Sequence, residues 1–166
     1  METNQEQIPA VTAQEAVSLS ASFATDALVA RHAMGWEWLG YPKSYWVTPT
    51  GGGRLCPRWS VDVGAAWEVV EAMVGRMGYN NLSFEWYGPC FKPEHHYLTA
   101  EGYPLGTTCW YVRIETRNYA LMIPADTAAL AVCRSALVAV AVERDPGSDD
   151  AVIDWTKVRQ ARNAKT

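Results

Sequence analysis

Residues 110–123 read WYVRIETRNYALMI, and the fold class turns on them. Trp110, Val112 and Ile114 alternate with Tyr111, Arg113 and Glu115, which is the two-residue period of a strand. Arg117 and Asn118 supply a tight turn into Tyr119 to Ile123, so the stretch predicts an antiparallel hairpin. Upstream, Leu82, Phe84 and Trp86 alternate with Ser83, Glu85 and Tyr87 and predict a strand of the same kind. Between the two alternating runs, residues 88–107 are rich in Pro, Gly, His and Tyr and read as an insertion loop, a length that in small domains is usually functional or mobile.

Helical periods flank this hairpin. Val63, Ala66, Trp67, Val70, Met73, Val74 and Met77 recur at helical steps after Ser60, a residue suited to cap the helix, and Gly78 closes it. Leu19, Phe23, Ala27, Ala30 and Met34 align on one stripe, with starts available at Thr12 to Glu15 or at Thr25-Asp26 and an end at Gly35. Tyr45 to Thr48 predicts a short strand, followed by a turn through Pro49 to Gly53. A last long helix starts at Asp126-Thr127 and carries Leu130, Cys133, Leu137, Val140 and Ala141, yet Ala131, Val138 and Val142 make its other side apolar too. Such a helix is covered twice, by a second subunit or by the C-terminal tail, and the first option predicts a homo-oligomer, a dimer or higher. Mixed order with a central hairpin predicts an α+β fold in which an antiparallel sheet is covered by helices. The expected division is a flexible arm over 1–20, one domain over 21–144 with the 88–107 insertion, and a tail over 145–166 with a short helix capped near Ser148 and anchored by Trp155.

Bulk properties narrow the classes. The 166 residues, 49% hydrophobic and 19% charged, suit one compact domain. A formal charge of −4 argues against binding nucleic-acid polymers, which need a contiguous basic surface. Cys56, Cys90, Cys109 and Cys133 form no CxxC pair and no secretory leader opens the chain, which predicts a reduced cytosolic protein. The apolar run from Ala128 to Val142 is too short to span a bilayer, so no membrane partner is expected.

The residues also carry a resemblance. LVARHAMGW at 28–36, a Tyr-Trp strand, PRWSVDVGAAWEVVEAM at 57–73 and ADTAALAVCRSAL at 125–137 resemble the small phage and prophage proteins of the phage ABA sandwich domain family, over about Asp26 to Val142. The resemblance implies a helix/antiparallel sheet/helix (ABA) sandwich in a phage protein working in the cytoplasm of a bacterial host. By analogy with unrelated small phage proteins that act as sponges, it points to sequestration of a nucleotide immune signal, of cyclic ADP-ribose type or another TIR-derived or cyclic nucleotide.

The eight Trp and eight Tyr are then the lead. A nucleotide needs a flat face for its base, which Trp36, Trp38, Tyr45, Trp46 and Trp59 offer, and donors for its phosphates, which Arg54, Arg58, Arg113 and Arg134 offer. The helix starts at Ser60 and at Asp126-Thr127 present unsatisfied N–H groups to an anion. Each has a plain alternative: the rings as core, Ser60 and Asp126-Thr127 as helix caps, and Trp67 as core beside Val63 and Val70. Cys90, His95, His96 and Cys109 match no regular zinc spacing, so no metal and no cofactor are expected. Cys90 beside His95 or His96 is the one local nucleophile and base pairing, and no phosphate-loop, dinucleotide or metalloprotease motif occurs, so a binding protein rather than an enzyme is expected. The competing readings are a module that binds a host or virion protein and, third, a phosphodiesterase that destroys the signal.

Overall fold

The computed structural model describes residues 10–39, 45–78, 81–87, 109–115 and 120–163. The insertion expected over 88–107, with Cys90, His95 and His96, lies outside the described residues, as do Tyr41, Pro42 and the turn at Arg117-Asn118. So do residues 1–9 of the expected arm.

Residues 13–18, which the expected division assigned to the arm, are helical. Helix α1, Ala13–Ser18, starts at Thr12, whose hydroxyl accepts from Glu15 N at 3.1 Å while the Glu15 carboxylate accepts from Thr12 N at 2.9 Å. This reciprocal cap suits a helix too short to persist alone. Its Ala13, Ala16 and Val17 are buried in the common core, so tertiary packing holds it. Helix α2, Phe23–Leu28, starts afresh at Ser22, whose Oγ accepts from Thr25 N, and runs into a π-helical turn, Val29–Ala33. Gly35 takes φ +66° and lets Trp36 N donate to Ala30 O at 2.8 Å, ending the helix where expected.

Three short strands follow: β1, Glu37–Leu39, β2, Tyr45–Val47, and β3, Gly53–Arg54, joined in antiparallel order β1-β2-β3. Only β2 was legible, from its aromatic and β-branched residues ahead of the Pro49 to Gly53 turn; β1 and β3 lack that combination. Glycine is required at position 53, since a Cβ there would stand 2.7 Å from the Tyr45 ring. Helix α3, Val63–Met77, ends at Gly78 with φ +59°, but its cap is Asp62 rather than Ser60. Asp62 Oδ1 accepts from Gly64 N at 2.8 Å and Ala65 N at 3.3 Å. Near its far end, Arg76 donates to His32 O at 2.8 Å and Ala33 O at 3.2 Å, satisfying carbonyls at the end of the π-turn.

The second sheet is the expected one. β4, Asn81–Tyr87, β5, Cys109–Glu115, and β6, Ala120–Ala125, pair antiparallel in that order, with Phe84 opposite Val112 and Val112 opposite Ile123. Leu82, Val112, Ile114 and Ile123 share one face and join the core with Val69, Val70 and Met73 of α3. Helix α4, Ala128–Arg144, is capped by Thr127, whose Oγ1 accepts from Leu130 N at 3.2 Å. It is buried almost throughout from Ala129 to Ala141, between β5 and β6 on one side and α1 and the π-turn on others. A 3₁₀ turn, Asp149–Ala151, also packs on it, and helix α5, Trp155–Asn163, begins at Asp154 and lies against α1. The doubly apolar helix thus finds cover within the chain, including the tail.

The fold is α+β, helices with two small antiparallel sheets, as the sequence predicted. One helical face was misread: Trp67 is 52% exposed and Val63 and Val74 are exposed as well, while Val69 is fully buried. Helical spacing defines a stripe but not its centre, and α3 is turned so that Ala66, Val69, Val70 and Met73 meet the core. Replacing Asp62 by Ala should lower stability by about 1 kcal/mol through loss of the cap, read as a shift of the urea midpoint at unchanged slope.

Candidate functional site

The sequence placed Phe23 and Ala27 on an apolar stripe with Asp26 beside them, and that carboxylate is the centre of the most unusual group in the molecule. Asp26 is 0% exposed. Its Oδ1 accepts from Ser60 N at 2.7 Å, and Arg58 Nε stands 3.4 Å from Oδ2. Burying a carboxylate is costly unless it is paired and hydrogen-bonded, so Arg58 and the Ser60 amide are conditions for this helix to lie where it does. Among the described residues Oδ2 has no hydrogen-bond partner, and neither has the buried indole Nε1 of Trp59.

Ser60 is fully buried and ties the same two segments a second time. Its Oγ accepts from Ser22 N at 3.1 Å and donates to Ser22 O at 3.3 Å. Between these residues, Trp59 is fully buried and meets Trp36 edge to face, with ring centroids 4.9 Å apart. Trp46 is also buried and sits 5.4 Å from Trp38. Trp36 and Trp59 therefore make a packed contact, and three of the five rings proposed as a stacking face, Trp36, Trp46 and Trp59, are core. Tyr45 is half-buried, with its ring over Gly53.

What the cluster presents outward is two guanidinium groups, each held by a ring and a carboxylate. Arg54 holds its guanidinium 5.1 Å from the Trp36 ring centroid and Arg58 holds its own 4.2 Å from that of Phe23. Both arginines are half-exposed, and Phe23 is 67% exposed. Arg54 also reaches Glu68 of α3, 3.4 Å away. Rings under guanidinium planes orient the N–H fork while leaving its edge to solvent. Phe23 was missed because helical spacing put it on the buried stripe; Asp26 had a signal, a carboxylate among apolar helical neighbours.

The other proposed contacts lie on different elements. Arg113 pairs with Glu115 on the face of β5 opposite Val112 and Ile114. Asp126 and Thr127 are exposed at the start of α4. Arg134 donates from Nε to Leu19 O at 2.8 Å and from Nη1 to Pro124 O at 2.9 Å, so it clamps backbone. The amides offered to an anion at the start of α3 include two that Asp62 already occupies, and Thr127 occupies one at α4. Between α3, α4 and the sheet, a cavity of about 10 Å³ is lined by Val69, Met73, Leu82, Ile114 and Val132, room for no more than a water molecule. Among the described residues no three His, Cys, Asp or Glu side chains converge as a metal site requires, and no helix is long and apolar enough to cross a membrane.

Two thiols face the buried carboxylate. Burial, then the negative charge of Asp26, pushes Cys56 up from 9.0 to about 12, with Arg54 opposing. Cys133 is raised by burial and, secondarily, by Asp26 and Cys56. Both stay neutral and unreactive in the folded state at neutral pH.

A family model for the phage ABA sandwich domain matches residues 27–137, and this chain belongs to that family. It is a small phage protein. Among solved structures it is similar to a phage protein from Bacillus cereus ATCC 14579 determined at 2.0 Å, with 20% identity over 70% of this chain and 84% of that one and a TM-score of 0.45. No functionally curated protein matches it.

Two outcomes follow from this geometry. Arg58→Ala should destabilise the fold by about 1–2 kcal/mol, less than for a fully buried pair because Arg58 is half in water, and the loss should shrink in an Asp26→Asn background. A double-mutant cycle by urea unfolding measures that coupling. The raised Cys56 value sets a second: above about pH 9 the unfolded chain loses its thiol proton while the folded chain keeps it, so stability held below that pH falls as pH rises toward 12. Thermal melts across that range should show the fall, and a Cys56→Ala variant should show a smaller one.

Proposed function

We propose that this protein is an anti-defence factor that binds a host nucleotide immune signal, of cyclic ADP-ribose type or another TIR-derived or cyclic nucleotide, and withholds it from its receptor without cleaving it. It would act in the cytoplasm of the infected bacterium, where such signals are made. The observation that carries this reading is the pair of half-exposed arginines, Arg54 seated over Trp36 and Arg58 over the exposed Phe23. Phosphates take guanidinium forks through charge-assisted hydrogen bonds, and a base can stack on an exposed ring or on the guanidinium plane. Trp36, Trp59, Ser60 and Asp26 serve as the rigid floor that fixes both arginines, which lowers the entropy lost on binding.

Sequestration needs no catalytic group. The free signal falls by mass action once sites outnumber it and the Kd lies below the receptor's threshold. Incubation with signal extracts of TIR-type enzymes, removal of unbound ligand and heating of the protein should return intact nucleotide. Arg54→Ala and Phe23→Ala should each weaken that binding about tenfold or more while leaving the fold intact, since a hydrogen bond to a charged group contributes roughly 1.5–3 kcal/mol. Failure to deplete the signal, or recovery of a cleaved product alone, would end this reading.

A further inference from the structure

Among the described residues, the border formed by β4 and α3 keeps large apolar side chains exposed after the core is complete. β4 pairs with β5 through all seven residues without a bulge, and among the described residues no strand lies on its other side. Its sequence, NLSFEWY, holds neither proline nor lysine. Sheet edges are ordinarily guarded by such residues, by bulges or by cover, because a row of open N–H and C=O groups is a template for another strand. Beside this edge, Trp86 is 56% exposed and Trp67 52%, with Val63 and Val74 exposed along the same helix. Trp67 belongs to the edge because its ring lies 5.8 Å from that of Phe84, the middle residue of β4.

We propose that two copies of this chain pair along β4, antiparallel about a two-fold axis through Phe84, and join their sheets into one of six strands. The strand is self-complementary in that register. Phe84 meets its own copy, Leu82 falls opposite Trp86, and Ser83 falls opposite Glu85, so apolar side chains face each other and carboxylates never oppose directly. Shifting the axis by half a residue sets Phe84 against Glu85, which breaks the match. Val63, Trp67, Val74 and Trp86 expose about 400 Å² per chain, and two such sets with the strand edges reach the roughly 1,000 Å² that a specific interface requires. The pairing also covers both tryptophans at the seam, where desolvated aromatic side chains contribute most to binding.

Sedimentation velocity over about 1–100 µM tests this, because mass action drives a dimer of this kind to form as concentration rises. The expected species has twice the 18.4 kDa of the chain. Trp86→Glu and Ser83→Pro should weaken association about 100-fold or more, the first by placing charge in the seam and the second by blocking the strand edge, whereas Val152→Glu, an exposed apolar residue elsewhere, should leave it unchanged. Circular dichroism checks that each variant folds. Independently, amide exchange of residues 81–87 in the unaltered protein should slow as concentration rises. A monomer at the highest concentration, a dimer that the two edge variants leave intact, or exchange in β4 that ignores concentration would each overturn the proposal.

Discussion

A helix without a polar side must be enclosed on every side, and the enclosure of α4 organises this molecule. From Ala129 to Ala141 it offers only Arg134 and Ser135 as strongly polar side chains, and both are satisfied locally: Ser135 Oγ donates to Ala131 O at 2.7 Å, and Arg134 donates to the Leu19 and Pro124 carbonyls. The sheet takes one flank; α1, the π-turn and the 3₁₀ turn of the tail take others. Each covering piece is short, and short helices are marginal alone. Their stability therefore comes from the surface that α4 gives them to bury, which is why a six-residue helix such as α1 can be part of the core.

The second constraint is the buried Asp26. A carboxylate inside the fold fixes its neighbours more narrowly than apolar packing does, because its partners must stand at hydrogen-bonding or ion-pairing distance. Ser60 N and Arg58 meet that demand and so clamp the segment before α3 to α2. The clamp leaves Trp36 and Trp59 inside and turns Arg54 and Arg58 outward over rings. The aromatic wealth of the chain is thus divided between floor and surface. The functional reading rests on the arginines and Phe23, the parts that reach solvent.

Much of the architecture was legible because period carries it. The antiparallel pairing of β5 with β6, the strand β4, helix α3 ending at Gly78, the Gly35 stop and the Thr12 capping box all follow from spacing and capping that operate within a few residues. β1 and β3 were not legible, since neither joins strand-forming residues to an adjacent turn signal as Tyr45 to Gly53 does. The site was legible in part. Trp59 does meet Trp36, and Arg58 and Ser60 meet at Asp26, but Tyr45 and Trp46 belong to the small sheet, and Arg113, Asp126 and Arg134 lie on other elements.

The sequence by itself determined the α+β class, the main helices and strands, and membership in a phage family, because these depend on local periodicity and on a pattern spread along the chain. Only the tertiary structure decided which way each periodic face turns. Val69 is buried and Trp67 exposed on one helix, and Asp26 is buried while Phe23, three residues before it, is in solvent. Neighbouring positions on a helix differ by about 100° in direction, and which of them meets the core is set by partners far away in sequence. For Asp26 those partners are Arg58 and the amide of Ser60, more than thirty residues on.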